Sequence, residues 1–332
     1  VERNKMKAII PVAGIGTRLR PHTHTIPKAL VPVAGKPIVG HILDQLQPLD
    51  IQEIVLVTGY MGDRVRDYVA EAYPHLEVCC VDQEERKGLG HAIYLARDCV
   101  VDGPVVIVLG DTVVTADYSA FVSGDRTLIG VKAVDDPQHF GVVEVEEGHV
   151  KSLVEKPELP PSDLAIVGLY YILDSRLLFD CLAEIIDNDI RTKGEYQLTD
   201  ALKLMLERGE DMGVFPVEGW HDCGRPETLL ETNRVLLERS GGNGPEVEGS
   251  IILPPVSIDP SATIDRSVVG PYVSVASGAT IRDSVVRDSI LNSGAIVEMS
   301  LLSNSLIGEC ALVRGHFQRL NVGDSSEIEI GA

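Results

Sequence analysis

The sequence predicts an α/β unit built on a mixed, mainly parallel sheet, followed by a short left-handed parallel β-helix. Three observations lead there. Up to about residue 235, short apolar runs rich in β-branched residues alternate with amphipathic segments. Between 127 and 173, strand-like runs follow one another with no helical segment between them. Beyond residue 250, an aliphatic residue recurs every five or six positions.

The strand candidates come first. "KAIIPV" (7–12), "IVLVTG" (54–59), "LEVCCV" (76–81) and "VVIVLGD" (105–111) are continuous apolar runs. A strand buried on both faces has no polar side, so such runs indicate parallel strands covered by helices. The covering helices are "PIVGHILDQLQPL" (37–49), "DRVRDYVAEAY" (63–73) and "GHAIYLARDCV" (90–100), whose apolar residues recur at helical spacing. "TLIGVKAV", "GVVEVEEGHVKSLVEKP" and "AIVGLYYIL" then form an antiparallel insertion, with a hairpin turn at Glu147-Gly148. Helical patterns return at 175–188, 197–208 and 226–239. The glycine-rich "SGGNGPEVEG" (240–249) reads as a connection. The predicted boundaries are therefore 1–240 for the α/β unit, 241–250 for a linker and 251–332 for the β-helix.

The last segment is read from its period. Units begin at Ile258, Ile264, Val269, Val275, Ile281, Val286, Leu291, Val297, Leu302 and Ile307. Each unit supplies one face of a triangular coil, so ten units predict three coils. Coil ends and faces need cover, which predicts self-association into a homo-oligomer.

Composition narrows the function. The 332 residues include 50 acidic and 29 basic side chains, a formal net charge of −21. A nucleic-acid binder needs a basic face, so that class is excluded. No window is long and apolar enough for a membrane span, and residues 1–10 lack the apolar core of a signal peptide, so a cytoplasmic location is expected. The six cysteines form no CxxC pair and read as buried, reduced thiols.

Against this acidic background, "PVAGIGTRLRPHTHTIPKALVPVAGKP" (11–37) contains no carboxylate. It follows a strand and precedes a helix, the place where an open parallel sheet receives a ligand. Gly14 and Gly16 allow backbone amides to approach phosphate oxygens. Arg18 can fork onto a phosphate and Lys28 can add a point charge.

The string "GIGTRLRP…PKALVPVAGKPI" resembles the signature of the sugar-1-phosphate nucleotidyltransferases, the nucleotide-sugar pyrophosphorylases. The likeness is greatest to the long-form glucose-1-phosphate thymidylyltransferases, which carry a C-terminal β-helix. "VLGD" (108–111), "FGVVEV" (140–145), "EKP" (155–157), "VGLYYI" (167–172), "GEYQLTDAL" (194–202) and "WHDCGRPETLLETN" (220–233) follow in the family's order. One departure is Ala13 at the first small position of the loop.

The resemblance implies a Rossmann-like catalytic domain that joins a nucleoside triphosphate, dTTP or UTP, to a sugar 1-phosphate, glucose 1-phosphate foremost, and releases pyrophosphate. The nucleophile is a phosphate oxygen already ionised near neutral pH, because a phosphate's second pKa is about 6. Positioning, charge neutralisation and Mg²⁺ are needed rather than a strong base. By the same resemblance Asp111 and Asp222 hold the metal, with helix capping the rival role for Asp222. Arg18, Lys28 and Lys156 neutralise phosphate. Ala13, Gly14, Gly16, Thr17, Gln83 and Gly88 meet the nucleotide, and Gly141, Glu155 and Gly168 meet the sugar. A glutamine amide carries donor and acceptor alike, so Gln83 can pair with an imide base edge. The competing readings are a mannose-1-phosphate guanylyltransferase and a non-catalytic binder of sugar nucleotides. An acyltransferase in the coil is disfavoured, since His316 is the one histidine after His221 and no base with an acyl-CoA groove can be named.

Overall fold

A computed structural model describes residues 6–315. The chain divides into two compact units, Val1–Thr232 and Asn233–Ala332. His316 lies outside the described residues.

The first unit opens with β1 (Met6–Pro11), the short pair β2 (Pro32–Val33) and β3 (Lys36–Pro37), and α1 (Ile38–Leu46). There follow β4 (Ile51–Thr58), α2 (Gly62–Ala72), β5 (Val78–Asp82), α3 (Leu89–Leu95), β6 (Val105–Val108), β7 (Thr112–Thr115) and α4 (Tyr118–Phe121). The antiparallel part comprises β8 (Thr127–Ala133), β9 (Gly141–Glu146), β10 (His149–Glu155) and β11 (Leu164–Ile172). The unit continues through α5 (Ser175–Asp187), α6 (Leu198–Glu207), β12 (Met212–Pro216) and β13 (Gly219–Asp222) into α7 (Pro226–Ser240).

The main sheet runs β10-β9-β11-β6-β1-β4-β5, with β8 beside β11 and β12 beside β8. β6, β1, β4 and β5 are parallel, while β11 runs antiparallel to β6. This is the mixed, mainly parallel sheet that the apolar runs predict. All four residues of β6 are buried, as a strand covered on both faces must be. Ile9, Val55 and Ile107 of the sheet share a core with Leu178 and Leu182 of α5 and Leu202 and Met205 of α6. Asp174 starts α5 by accepting a hydrogen bond from the Leu177 amide at 2.9 Å. The β9–β10 turn falls at Glu147 (φ 51°) and Gly148 (φ 84°), two consecutive left-handed residues that match the twist of a two-residue hairpin.

The second unit is a three-sided parallel β-helix. Its strands are β14 (Ile251–Ile252), β15 (Val256–Ile258), β16 (Thr263–Asp265), β17 (Val268–Val269), β18 (Val273–Val275) and β19 (Thr280–Arg282). The coil continues with β20 (Val285–Arg287), β21 (Ile290–Leu291), β22 (Ile296–Glu298), β23 (Leu301–Ser303), β24 (Leu306–Ile307) and β25 (Leu312–Arg314). They stack as three four-stranded parallel sheets. The predicted unit starts form three aliphatic ladders, Ile258-Val275-Leu291-Ile307, Ile264-Ile281-Val297-Val313 and Ile252-Val269-Val286-Leu302. There are four layers where the period predicts three coils. Ile252 and Val313 extend the same spacing by one unit beyond the first and last predicted starts.

Corners of the coil are tied by serines. Arg266, Asp283 and Met299 adopt positive φ, and the serine after each sends its hydroxyl to the carbonyl two residues back. The same oxygens accept the amide of the next layer's serine, Ser284 N–H to Ser267 Oγ and Ser300 N–H to Ser284 Oγ, both 3.1 Å. Backbone groups that a tight corner would orphan inside the coil are thereby paired. The segment that reads as a linker lies against the first layer: Val247 packs on the coil core and the Val256 amide donates to the Gly242 carbonyl at 3.0 Å. The expectation that all cysteines are buried is corrected. Cys181 and Cys223 are buried, but Cys80 and Cys310 are exposed. Cys80 lies on β5, which among the described residues is the terminal strand of the sheet.

Candidate active site

The site grows from the carboxyl ends of two neighbouring parallel strands. β1 and β6 pair side by side, so the chain leaving Pro11 and the chain leaving Val108 emerge together, and the Gly110 amide donates to the Pro11 carbonyl at 3.2 Å. Gly16 bends the first loop with φ 68°, and a Cβ there would meet Lys28 Cβ and Thr23 Cγ2 at 3.0 Å. The Thr23 hydroxyl holds that turn by donating to the Gly16 carbonyl at 2.8 Å. A Cβ on Gly14 would meet nothing within 4 Å, because that residue faces open space in the cleft.

Two adjoining hollows make up the cleft. One, of about 560 Å³, is lined by Ala13, Gly14, Gly16, Thr17, Arg18, Lys28, Gln83 and Gly88. The other, of about 780 Å³, is lined by Gly141, Glu155, Lys156, Gly168, Trp220, Asp222 and Arg225. Arg18, Leu89, Leu109, Asp111 and Glu195 line both. Asp111 is the pivot. Its carboxylate accepts from Lys28 Nζ at 2.8 Å and from the Thr112 hydroxyl at 3.2 Å. Partial desolvation in the half-open cleft pushes its pKa up, but the Lys28 ammonium, the two hydrogen bonds and Arg18 outweigh this and hold the pKa below the usual carboxylate value. β13 pairs with β7, with Asp222 opposite Thr112, and the Cys223 amide donates to the Asp111 carbonyl at 3.1 Å. Asp222 thus sits beside Asp111. A Cβ on Gly224 would meet both Asp222 Oδ1 at 2.7 Å and an Arg18 guanidinium nitrogen at 2.9 Å, so Gly224 is where these two groups converge.

In the second hollow, Glu155 Oε2 accepts from the Thr199 hydroxyl at 2.8 Å, while Oε1 lies 3.5 Å from Lys156 Nζ. Lys156 stands at φ 43°, an unusual setting for a residue with a side chain. Gly168 has φ 82° at an irregularity in β11, and its missing Cβ leaves room for Leu109, which would otherwise be 2.7 Å away. Trp220 stacks edge-on against Phe140 with centroids 4.7 Å apart, and its indole N–H is buried with no hydrogen-bond partner among the described residues. In the first hollow, Gln83 is buried and its Nε2 bonds the Gly88 carbonyl and His91 Nδ1, each at 3.2 Å. Gly88 has φ 112°, and a Cβ there would come within 2.5 Å of the Tyr196 carbonyl.

Comparison with known proteins settles the kinship of this arrangement. The sequence model of the family described as nucleotidyl transferase matches residues 7–239. The chain belongs to the nucleotidyl transferase family. It is 33% identical to the low-salt glycan biosynthesis nucleotidyltransferase Agl11 of Haloferax volcanii, over 98% of this chain and 100% of that one. It is 32% identical to a glucose-1-phosphate thymidylyltransferase of Streptomyces griseus, again over 98% and 100%. Among solved structures, one described as a glucose-1-phosphate thymidylyltransferase of Bacillus anthracis, in complex with sucrose, is 28% identical with a TM-score of 0.60. It covers 69% of this chain and 94% of its own. A UDP-glucose pyrophosphorylase complexed with UDP-glucose is 26% identical with a TM-score of 0.61, covering 70% and 99%.

Every site residue that the family signature singles out in this nucleotidyl transferase lines one hollow or the other. Motif reading missed several that line the same walls: Arg86, Glu195, Gln197, Thr199 and Arg225. Thr199 and Gln197 stand inside the "GEYQLTDAL" string, yet Thr199 meets the cleft through a pairing with Glu155, 44 residues away. No helix among the described residues is long and apolar enough to cross a membrane.

Proposed function

We propose that this chain transfers a nucleotidyl group from UTP or dTTP to glucose 1-phosphate, forming the nucleotide sugar and releasing pyrophosphate. The observation that carries the reading is the meeting of two hollows at Asp111 and Arg18, which suits two phosphorylated substrates reacting at their junction. Full-length similarity to a glucose-1-phosphate thymidylyltransferase supports the substrate pair.

In this reading the first loop and Lys28 grip the triphosphate, and Arg18 offsets charge on the departing pyrophosphate. Lys156 holds the sugar phosphate, whose ionised oxygen attacks the α-phosphorus. Glu155, with one oxygen engaged by Thr199, offers the other to sugar hydroxyls. Gln83 and Gly88 meet the base. Asp111 and Asp222 would hold a metal ion. Two neighbouring carboxylates suit a hard cation such as Mg²⁺ that keeps waters and phosphate oxygens. When bound, Mg²⁺ supplies charge neutralisation on the phosphates.

We assign catalysis to residues 1–240 and self-association to the coil of residues 251–332, joined through 241–250. Ile251, Val268, Val285 and Leu301 stack on the outer face of one sheet, where Ile251 is 58% and Leu301 84% exposed. A contiguous aliphatic row of this kind supports a homo-oligomer. The substrates, as metabolites of the cytoplasm, favour that location.

The decisive experiment is pyrophosphate release with Mg²⁺, testing dTTP, UTP, GTP, ATP and CTP against glucose, galactose, mannose and glucosamine 1-phosphates. Release with dTTP or UTP and glucose 1-phosphate is expected; no release with any pair from folded protein would overturn the reading. Leu301→Glu should lower the mass measured by light scattering, and an unchanged mass would remove this row from the interface.

A further inference from the structure

We propose that His91 is a positioning residue that locks the Gln83 amide with its oxygen facing the cleft, so that the site selects bases presenting an N–H donor at that edge. The inference rests on the nucleotide reading given above and adds to it the group that decides which bases fit.

The argument is one of hydrogen-bond inventory. A carbonyl oxygen can only accept, so the Gln83 atom 3.2 Å from the Gly88 carbonyl must be the NH₂ nitrogen. Its second hydrogen points to His91 Nδ1, also at 3.2 Å. A neutral imidazole carrying its proton on Nε2 accepts there. Both amide hydrogens are then committed. Oε1 has no partner among the described residues, and Gln83 lines the cleft while His91 stands behind it. Without His91 one of the two bonds that hold the amide is gone, and the Gly88 carbonyl alone opposes its turning over to offer a donor instead.

Burial lowers the His91 pKa, with Lys87 adding to the effect and Glu85 opposing it, so the ring is a neutral acceptor at neutral pH. An Oε1 acceptor suits the N3–H of uracil and thymine. It opposes the N3 lone pair of cytosine and the N1 lone pair of adenine, and an unpaired buried acceptor is what makes such sites discriminate. Guanine also presents an N–H but brings a second ring.

The test is the ratio of kcat/KM for UTP over CTP, with glucose 1-phosphate and Mg²⁺, in the full-length protein. Wild type should favour UTP at least about 100-fold. His91→Leu should lower that ratio about tenfold or more and leave kcat at saturating UTP within about threefold, because no reacting atom is touched. His91→Asn puts an amide oxygen where Nδ1 stood and should restore the ratio. His91→Gln carries its amide one carbon further and should not. If His91→Leu is unstable, the Asn and Gln variants decide the matter between them. A UTP:CTP ratio that is unchanged in His91→Leu, or equal in the Asn and Gln variants, overturns the positioning role while leaving the transfer activity standing. A wild type that releases no pyrophosphate with any pair sinks the underlying reading. In that event the UTP-over-CTP affinity ratio from calorimetry judges His91 by the same criteria. A wild-type preference for CTP or ATP overturns the acceptor edge.

Discussion

Asp111→Asn should destabilise the α/β unit more than Lys28→Met does, although both break the same ion pair. The asymmetry follows from where each partner sits. The Lys28 side chain is 8% exposed and the Asp111 side chain 46% exposed. Removing the lysine charge leaves a carboxylate that cleft water can solvate, at a cost of about 1 kcal/mol. Removing the aspartate charge leaves an ammonium in a nearly closed setting, with a neutral amide oxygen to accept its hydrogen bond but nothing to neutralise it. Breaking a fully buried pair costs about 3–5 kcal/mol, and the half-open partner reduces this to about 2–3 kcal/mol. For a unit of this size each kcal/mol moves Tm by about 2–4 °C. Calorimetry of both variants should therefore show a fall of about 2–4 °C for Lys28→Met and about 4–12 °C for Asp111→Asn. Both should also slow pyrophosphate release, Lys28→Met by about 100- to 1,000-fold, the usual value of one well-placed donor on developing charge. A Lys28→Met variant as unstable as Asp111→Asn would refute the burial argument. A release rate within about tenfold of wild type would remove Lys28 from the phosphates.

Three further outcomes follow from other contacts. Gly14→Ala should leave Tm unchanged while raising the nucleotide KM, since its Cβ meets nothing in the free protein; Gly16→Ala, at φ 68° and 3.0 Å from Lys28 Cβ, should lower Tm as well. Equal Tm values for the two would contradict the loop geometry. Ser284→Ala orphans the Ser300 amide inside the coil, while the Arg282 carbonyl keeps its bond from the Met299 amide, and should cost about 1–3 kcal/mol in denaturant unfolding, whereas exposed Ser277→Ala should cost almost nothing. His41 donates Nε2–H to the Val33 carbonyl at 2.8 Å, and burial, aided by Lys36 and opposed by the Val33 carbonyl and Asp44, lowers its pKa. The unfolded chain then binds the proton first, so this contribution to stability is complete above pH of about 6.5 and declines as pH falls through the lower folded value. Tm measured from pH 8 to pH 5 should show that decline, and His41→Gln, which keeps the donor without the titration, should flatten it.

What the sequence made legible was spacing. Four parallel strands could be read from apolar runs because burial on both faces leaves no polar side chain to interrupt them. The coil could be read because one inward aliphatic residue per face must recur at a fixed interval, and the ladders through Val275, Ile281 and Val286 are that interval seen in space. Two features of the coil were hidden by composition. The prolines of "ILPPV" disguise the interval at Ile252, and Val313 falls one unit past the last predicted start at Ile307, so a fourth layer goes unread. The corner serines look like ordinary polar filler until the positive φ of the residue before each shows which amides they must satisfy.

The cleft shows the same limit more sharply, because its chemistry depends on orientation. Gln83 is visible in the sequence as an amide with a donor and an acceptor, and nothing local says which of the two faces a ligand. That is decided by a carbonyl five residues on and an imidazole eight residues on, once the chain has turned at Gly88 and packed against Tyr196. Glu155 likewise has two equivalent oxygens until Thr199 engages one of them. Arg18 and Asp222 lie more than 200 positions apart in sequence and converge because β13 pairs with β7 beside the end of β6. Motif strings therefore identify the atoms available to this site, whereas its selectivity resides in the contacts that use up one half of each bifunctional group. Mutating the groups behind Gln83 and Glu155 should consequently change what the enzyme chooses before it changes how fast it turns over.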